Sequence, residues 1–211
     1  MPEPAASAPE GARRPRGASD RVPRSHAQTR LTIRVALGFL AGAALLGAWA
    51  VLRDWPDARW PVLHLLLPGA VTLAISGASL MLTVTWATTP APSDGWAHVQ
   101  RTCVAVGALG LVVARRAGAH DVVVGGAAAL HGLGLVVLAV LLVTSARQGL
   151  KRRFDPAVAA YVVALVAALT GGVLGTITAL GTPSLGIRSA HVAINLLGFV
   201  GSSLAASAEI E

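Results

Sequence analysis

Charge is scarce in this sequence. Only 13% of its 211 residues are Asp, Glu, Lys or Arg, about half the share of roughly 25% in an ordinary soluble domain. Cysteine occurs once, as Cys103, which excludes an internal disulfide and a cysteine-rich zinc site. The Cys-x-x-Cys-His sequence that anchors c-type haem is absent too. There is one lysine, Lys151, among the 17 basic residues, a bias that reads as a GC-rich genome and carries no function. No phosphate-binding Walker loop, Gly-x-Ser-x-Gly elbow or His-Glu-x-x-His motif is present. No internal repeat stands out.

What is abundant is apolar sequence. Hydrophobic residues make up 54% of the chain and the mean hydropathy is +0.65. The bilayer, not water, is the main solvent such a chain is built for. The net charge of +7 does not point to nucleic acid, because the basic residues fall in clusters between apolar runs and form no continuous face.

Residues 1–30 are rich in Ala, Pro, Ser and Arg and have no aromatic residue. They read as a disordered basic tail. Arg13-Arg14 lies too far ahead of the first apolar run for a twin-arginine signal. Ala48-Trp49-Ala50 resembles a signal-peptidase site, although an uncleaved anchor is the preferred reading. Six apolar segments follow, at 35–52, 61–87, 98–114, 122–143, 158–180 and 189–206. About 20 residues cross the hydrocarbon core as a helix, and the third segment is the shortest in purely apolar length. Charge argues that it spans. With six spans and a cytoplasmic N-terminus, the first seven arginines, Arg101, Arg147, Lys151, Arg152 and Arg153 lie inside, and Arg53, Arg59, Arg115, Arg116 and Arg188 lie outside. That is the excess that cytoplasmic loops carry. Without the third span, the Lys151 cluster moves outside and the rule fails. The expected fold is therefore all-α: a six-helix transmembrane bundle over 31–208 in the plasma membrane, both termini cytoplasmic. Trp55 and Trp60 suit one interface, Trp86 and Trp96 the other.

Several spans carry polar side chains that lipid cannot satisfy. At 100° per residue, His191, Asn195, Gly198 and Ser202 share a face about 60° wide. Thr72, Ser76, Ser79 and Thr83 recur in the same way on the second segment, bordered by His64 and Pro68. Both stripes are expected to face the bundle interior. Pro68 lacks an N–H, so a kink is expected that leaves the His64 carbonyl free. Segments two, four and six run in one direction, which puts His64 and His191 at similar depth near the outer leaflet. His131, flanked by Gly132 and Gly134, falls near mid-membrane. His98 and His120 sit at helix ends and read as interfacial.

Two imidazoles at one depth on different helices are what a bis-histidine haem iron requires; three could hold copper. His64, His191 and His131 are the candidate ligands, with Asn195, Ser202 and Thr72 as supporting polar neighbours. The plainer alternative is that these histidines only hydrogen-bond neighbouring helices. Gly171 and Gly175 form a Gly-x-x-x-Gly pair that favours close helix packing.

The stretch Trp60 to Leu66 with the following Pro-Gly-Ala-Val-Thr-Leu-Ala-Ile, the Arg153-Phe154, Tyr161, Gly171-Gly172 and Gly175 positions, and Ala190 to Gly201 together resemble a bacterial family of haem- and copper-associated membrane proteins. The family comprises NnrS-like proteins and the membrane half of actinobacterial fusions with copper oxidases of the nitrite-reductase kind. The resemblance covers about residues 60–201. It implies that His64 and His191, with His131 as a third candidate, bind haem b or copper, with a redox partner protein, for electron transfer or a response to nitrogen oxides. Some relatives carry a second histidine where this chain has Ala193, and the cupredoxin copper ligands of the fusions have no counterpart here. The alternative is a non-catalytic membrane anchor or assembly partner. A solute transporter fits less well, because ionisable residues are few within the spans.

Overall fold

The structure is a computed structural model that describes residues 21–150, 155–181 and 184–208. Among them there is no strand, and six helices are long and apolar enough to cross a membrane. They are α1 (Arg21–Leu52), α2 (Pro56–Trp86), α3 (Asp94–Arg116), α4 (Asp121–Gln148), α5 (Asp155–Leu180) and α6 (Leu185–Ala208). The helices are longer than the apolar segments within them. α1 begins ten residues before the expected end of the tail, so 21–30 are helical. The Lys151, Arg152 and Arg153 cluster lies outside the described residues.

The third segment is a full helix of 23 residues. It starts where Ser93 accepts a hydrogen bond from the Trp96 N–H at 3.4 Å, with Asp94 in the first turn. Both features stabilise the positive end of a helix. It stops at Gly118, whose φ of +64° lets the Ala119 N–H reach back to the Ala114 carbonyl at 2.9 Å. α6 starts in the same manner, with Ser184 accepting from Ile187 N–H. α2 ends differently. Thr88 takes the left-handed turn, at φ +54°, so that the Thr89 N–H can reach the Val84 carbonyl. A β-branched residue is strained there, by about 1–2 kcal/mol. Thr88→Gly is therefore expected to raise stability by about 1 kcal/mol in thermal unfolding of the detergent-solubilised protein.

Successive helices alternate in direction. At one end, the near face, Arg24 of α1 pairs with Asp94 of α3 at 3.1 Å, and the Leu150 N–H donates to Ala87 O beyond α2. There too the Tyr161 hydroxyl of α5 meets Ser207 of α6 at 2.7 Å. At the far face, Arg116 stacks on Trp55 at 4.4 Å and Arg115 donates to Ala179 O of α5 at 3.0 Å. Among the described basic residues, the alternation puts Arg21, Arg24, Arg30, Arg34, Arg101 and Arg147 toward the near face and Arg53, Arg59, Arg115, Arg116 and Arg188 toward the far face.

The bundle is a chain of hairpins: α1 on α2, α3 on α4 and α5 on α6, with α4 also packed on α2 and α5. Leu73, Val104, Leu138, Leu142 and Leu165 fill the centre. The tightest crossing, α3 on α4, depends on glycine. A Cβ on Gly107 would fall inside the His131 backbone, and one on Gly134 would lie 2.6 Å from the Val104 side chain. The Ser/Thr stripe of α2 is buried as expected: Thr72, Ser76, Ser79 and Thr83 are at most 3% exposed.

Two stretches are wider than an α-helix. Leu65–Val71 in α2 and Ile194–Gly201 in α6 are π-helical. In that pattern the partner of the His64 carbonyl is the Gly69 N–H, five residues on, and Pro68 is passed over. The free carbonyl expected at His64 is therefore taken up, and the Thr72 hydroxyl donates to the Leu67 carbonyl at 3.0 Å. In α6 the extra residue per turn moves the inward position along by one. Ser202 is half-buried, whereas Ser203 is 3% exposed.

Candidate imidazole site

His64 stands in the third turn of α2. Its ring stacks on Trp60 with centroids 4.0 Å apart at 25°. Its Nδ1 lies 2.9 Å from the Trp60 carbonyl of its own helix. His131, on α4, points Nδ1 at the Val104 carbonyl of α3, 3.3 Å away. His191, on α6, places Nδ1 2.7 Å from the Gly171 carbonyl of α5. A carbonyl oxygen only accepts, so in each case the proton is on Nδ1. Three separate histidines are thereby set in one tautomer, each with a lone pair on Nε2. No side chain or backbone group among the described residues hydrogen-bonds to any of the three Nε2 atoms.

The glycines of α5 explain how His191 and Asn195 are held. A Cβ on Gly175 would lie 2.6 Å from the His191 ring, and a Cβ on Gly171 would run into the Asn195 amide. The Gly-x-x-x-Gly pair does serve close packing, as expected, and what it accommodates is this polar pair. Farther along, Gly198 of α6 faces Ala167, where an added Cβ would be 2.8 Å from the Ala167 Cβ. Asn195 donates from Nδ2 to the His191 carbonyl at 2.8 Å. Its Nδ2 also stands 3.2 Å from His191 Nδ1, but that nitrogen's hydrogen is directed at Gly171. The group that orients the His191 ring is thus the Gly171 carbonyl, and Asn195 braces the backbone beside it. Thr72 and Ser202, the other expected supporting residues, are not in hydrogen-bonding contact with the rings; Thr72 bonds within its own helix.

The three histidines share a region. His64 lies within electrostatic reach of both His191 and His131. Counted from the far-face starts of their helices, all three stand roughly 9–15 Å down. They do not converge on a single point, because among the described residues no three His, Cys, Asp or Glu side chains gather as a metal ion needs. α2 and α6 pack most closely nearer the other end, where Thr72–Trp86 meets Ser202–Ala208. A cavity with room for about one water molecule lies between Gln28, Thr32, Ser76 and Gln100. A wider groove of about 430 Å³ is lined by His26, Thr29, Arg30 and Met81. None of the three histidines lines either. His120 and His98 stand at helix starts, both exposed. His120 caps α4 by accepting from the Val122 N–H.

Sequence reasoning missed a second polar group. Arg101, counted there as a charge at the end of a span, is a buried residue of α3 that donates to Thr32 of α1 at 3.4 Å. Beside it, Gln100 donates to Ser76 of α2 at 3.3 Å. The signal was in the sequence: Gln100 and Arg101 stand directly before an apolar run. No family model matches the chain, nor does any curated protein or solved structure.

Proposed function

We propose that this multi-pass membrane protein binds haem b through the Nε2 atoms of His64 and His191, and acts in electron transfer or in a response to nitrogen oxides with a redox partner protein. One observation carries the reading. Each intramembrane imidazole has Nδ1–H directed at a backbone carbonyl, the arrangement that fixes ring orientation and raises the basicity of a metal-binding Nε2. The donor chemistry fits iron. Bound haem supplies one-electron chemistry at its iron, and the porphyrin provides four of the six ligands, so two protein imidazoles suffice. Copper is the alternative metal. It would ask more of the protein than a pair of imidazoles, and the three histidines are not gathered around one point. In this reading Gly171 and Trp60 orient the rings through their carbonyls, and His131 stands by as a third nitrogen. The resemblance to NnrS-like proteins and to the membrane half of the copper-oxidase fusions points the same way.

A second reading has its own support. His191 and His131 each bond a carbonyl on a neighbouring helix, so both join helices whether or not a metal binds. In that case the protein is an anchor or assembly partner without a cofactor. Restoring the bond without the ligand separates the two. A glutamine at 191 can donate to the Gly171 carbonyl but is no ligand for haem iron.

We further infer that the near face is cytoplasmic and that the membrane is the plasma membrane, from the excess of basic residues on that side. In a Cys103→Ser background, Asp57→Cys is expected to label with an impermeant maleimide in intact cells and Gly149→Cys only after lysis. The reverse pattern contradicts this orientation.

A further inference from the structure

The haem reading leaves Arg101 without a role. The residue is 7% exposed, seven positions into α3 and roughly 10 Å below the helix start. Its guanidinium donates to Thr32 Oγ1 at 3.4 Å and to His98 Nδ1 at 3.1 Å. Both acceptors are neutral. His98, accepting through Nδ1, carries its hydrogen on Nε2, which faces Thr102 Oγ1 at 3.5 Å. The nearby acid, Asp94, is engaged by Arg24 and Gln28. Among the described residues no carboxylate lies within ion-pair distance of Arg101. A cation held out of water without a counter-ion is unstable unless an anion joins it.

The surroundings offer hydrogen-bond donors. Guanidinium has five N–H groups, of which two are engaged. The Nε2–H of His98 stands on an exposed flank of α3, next to exposed Thr102. The cavity on the inner side, between Thr32, Ser76 and Gln100, is about 10 Å³ and holds at most one water. The anion therefore has to come from the exposed flank of α3, where His98 and Thr102 stand. The depth is that at which a long basic side chain reaches the phosphates of the adjacent leaflet.

We propose that Arg101 and His98 form a phosphate-binding site on the exposed flank of α3, toward the near face. The planar guanidinium fork matches a phosphate, and His98 adds a donor beside it. The phosphate group is carried by an anionic lipid or arrives as free phosphate.

Thermal unfolding of the full-length protein, purified in a phosphate-free maltoside detergent at constant ionic strength, tests this. Phosphatidylglycerol or inorganic phosphate is added separately, with chloride as control. The wild type is expected to gain about 5 °C from the effective ligand near saturation. Arg101→Gln is expected to gain nothing, Arg101→Lys and His98→Ala less than half as much. Arg34→Gln, an exposed arginine elsewhere on α1, keeps the whole gain. A gain with phosphatidylglycerol alone assigns the site to a lipid head group; a gain with inorganic phosphate as well assigns it to the free anion. If Arg101→Gln does not fold, the lysine and His98→Ala variants carry the test. No gain in the wild type with either ligand, or a full gain in any of the three site variants, overturns the proposal.

Discussion

On the proposed haem reading, His191→Ala is expected to leave the purified protein without haem and so without a Soret band. The mutation deletes the one ring whose Nδ1 hydrogen is fixed by a short bond to another helix, 2.7 Å from the Gly171 carbonyl. It also empties the space that Gly175 leaves for the imidazole. Two consequences should separate cleanly. One of the two imidazoles that would hold the haem goes. The α5–α6 contact also loses a part-buried hydrogen bond, which costs roughly 0.5–2 kcal/mol in a membrane helix pair. His191→Gln is expected to recover most of that stability and none of the haem. His64→Ala should cost less, because the His64 ring bonds its own helix and its loss leaves no neighbouring helix without a partner. With His191 the one imidazole of the pair left to hold a haem, His64→Ala would be expected to show a high-spin spectrum at reduced occupancy. Equal haem content in wild type and His191→Ala would leave the histidine with the helix-joining role alone.

Gly107→Ala is expected to destabilise the bundle by about 1–3 kcal/mol, the usual cost of overpacking a tight contact. The neighbour it meets is the His131 backbone, which cannot turn aside as a side chain can. Alanine gains about 1 kcal/mol over glycine in intrinsic helix propensity, and the steric term outweighs it. Gly42→Ala provides the control. Nothing lies within 4 Å of a Cβ there, so that variant should be neutral or slightly more stable. Because Gly107 sets how near α3 lies to His131, its substitution should also lengthen the His131 bond to Val104. A drop in melting temperature for Gly107→Ala no larger than for Gly42→Ala would show that α3 and α4 cross less closely than described.

Much of this architecture can be read without coordinates, for a physical reason. Lipid satisfies no backbone group, so a spanning chain of this composition must be helical and must turn its polar side chains inward. Thr72, Ser76, Ser79 and Thr83 obeyed that rule, and the inference that the third segment spans rested on charge and held. What escaped was whatever depends on a partner helix or on departure from 3.6 residues per turn. The π-helical stretch at Ile194–Gly201 moved the inward position from Ser202 to Ser203, and the one at Leu65–Val71 took up the His64 carbonyl. Period arithmetic assumes a regular helix and cannot see either. The pairing of Gly171 with Asn195 and of Gly175 with His191 was equally hidden, since each half lies on a different helix. Gly-x-x-x-Gly announced a close contact without saying what it would admit. Arg101 was visible as a charge, but its burial between helices was not.

The central claim is that the Nε2 atoms of His64 and His191 would hold a haem between them. It is tested most directly by the absorption spectrum of the wild-type protein, expressed with ample haem and purified as a folded, monodisperse species. The account predicts a Soret band with the sharp α and β bands of reduced low-spin bis-histidine haem, at one haem per chain. A folded preparation with no Soret absorption under those conditions would contradict it.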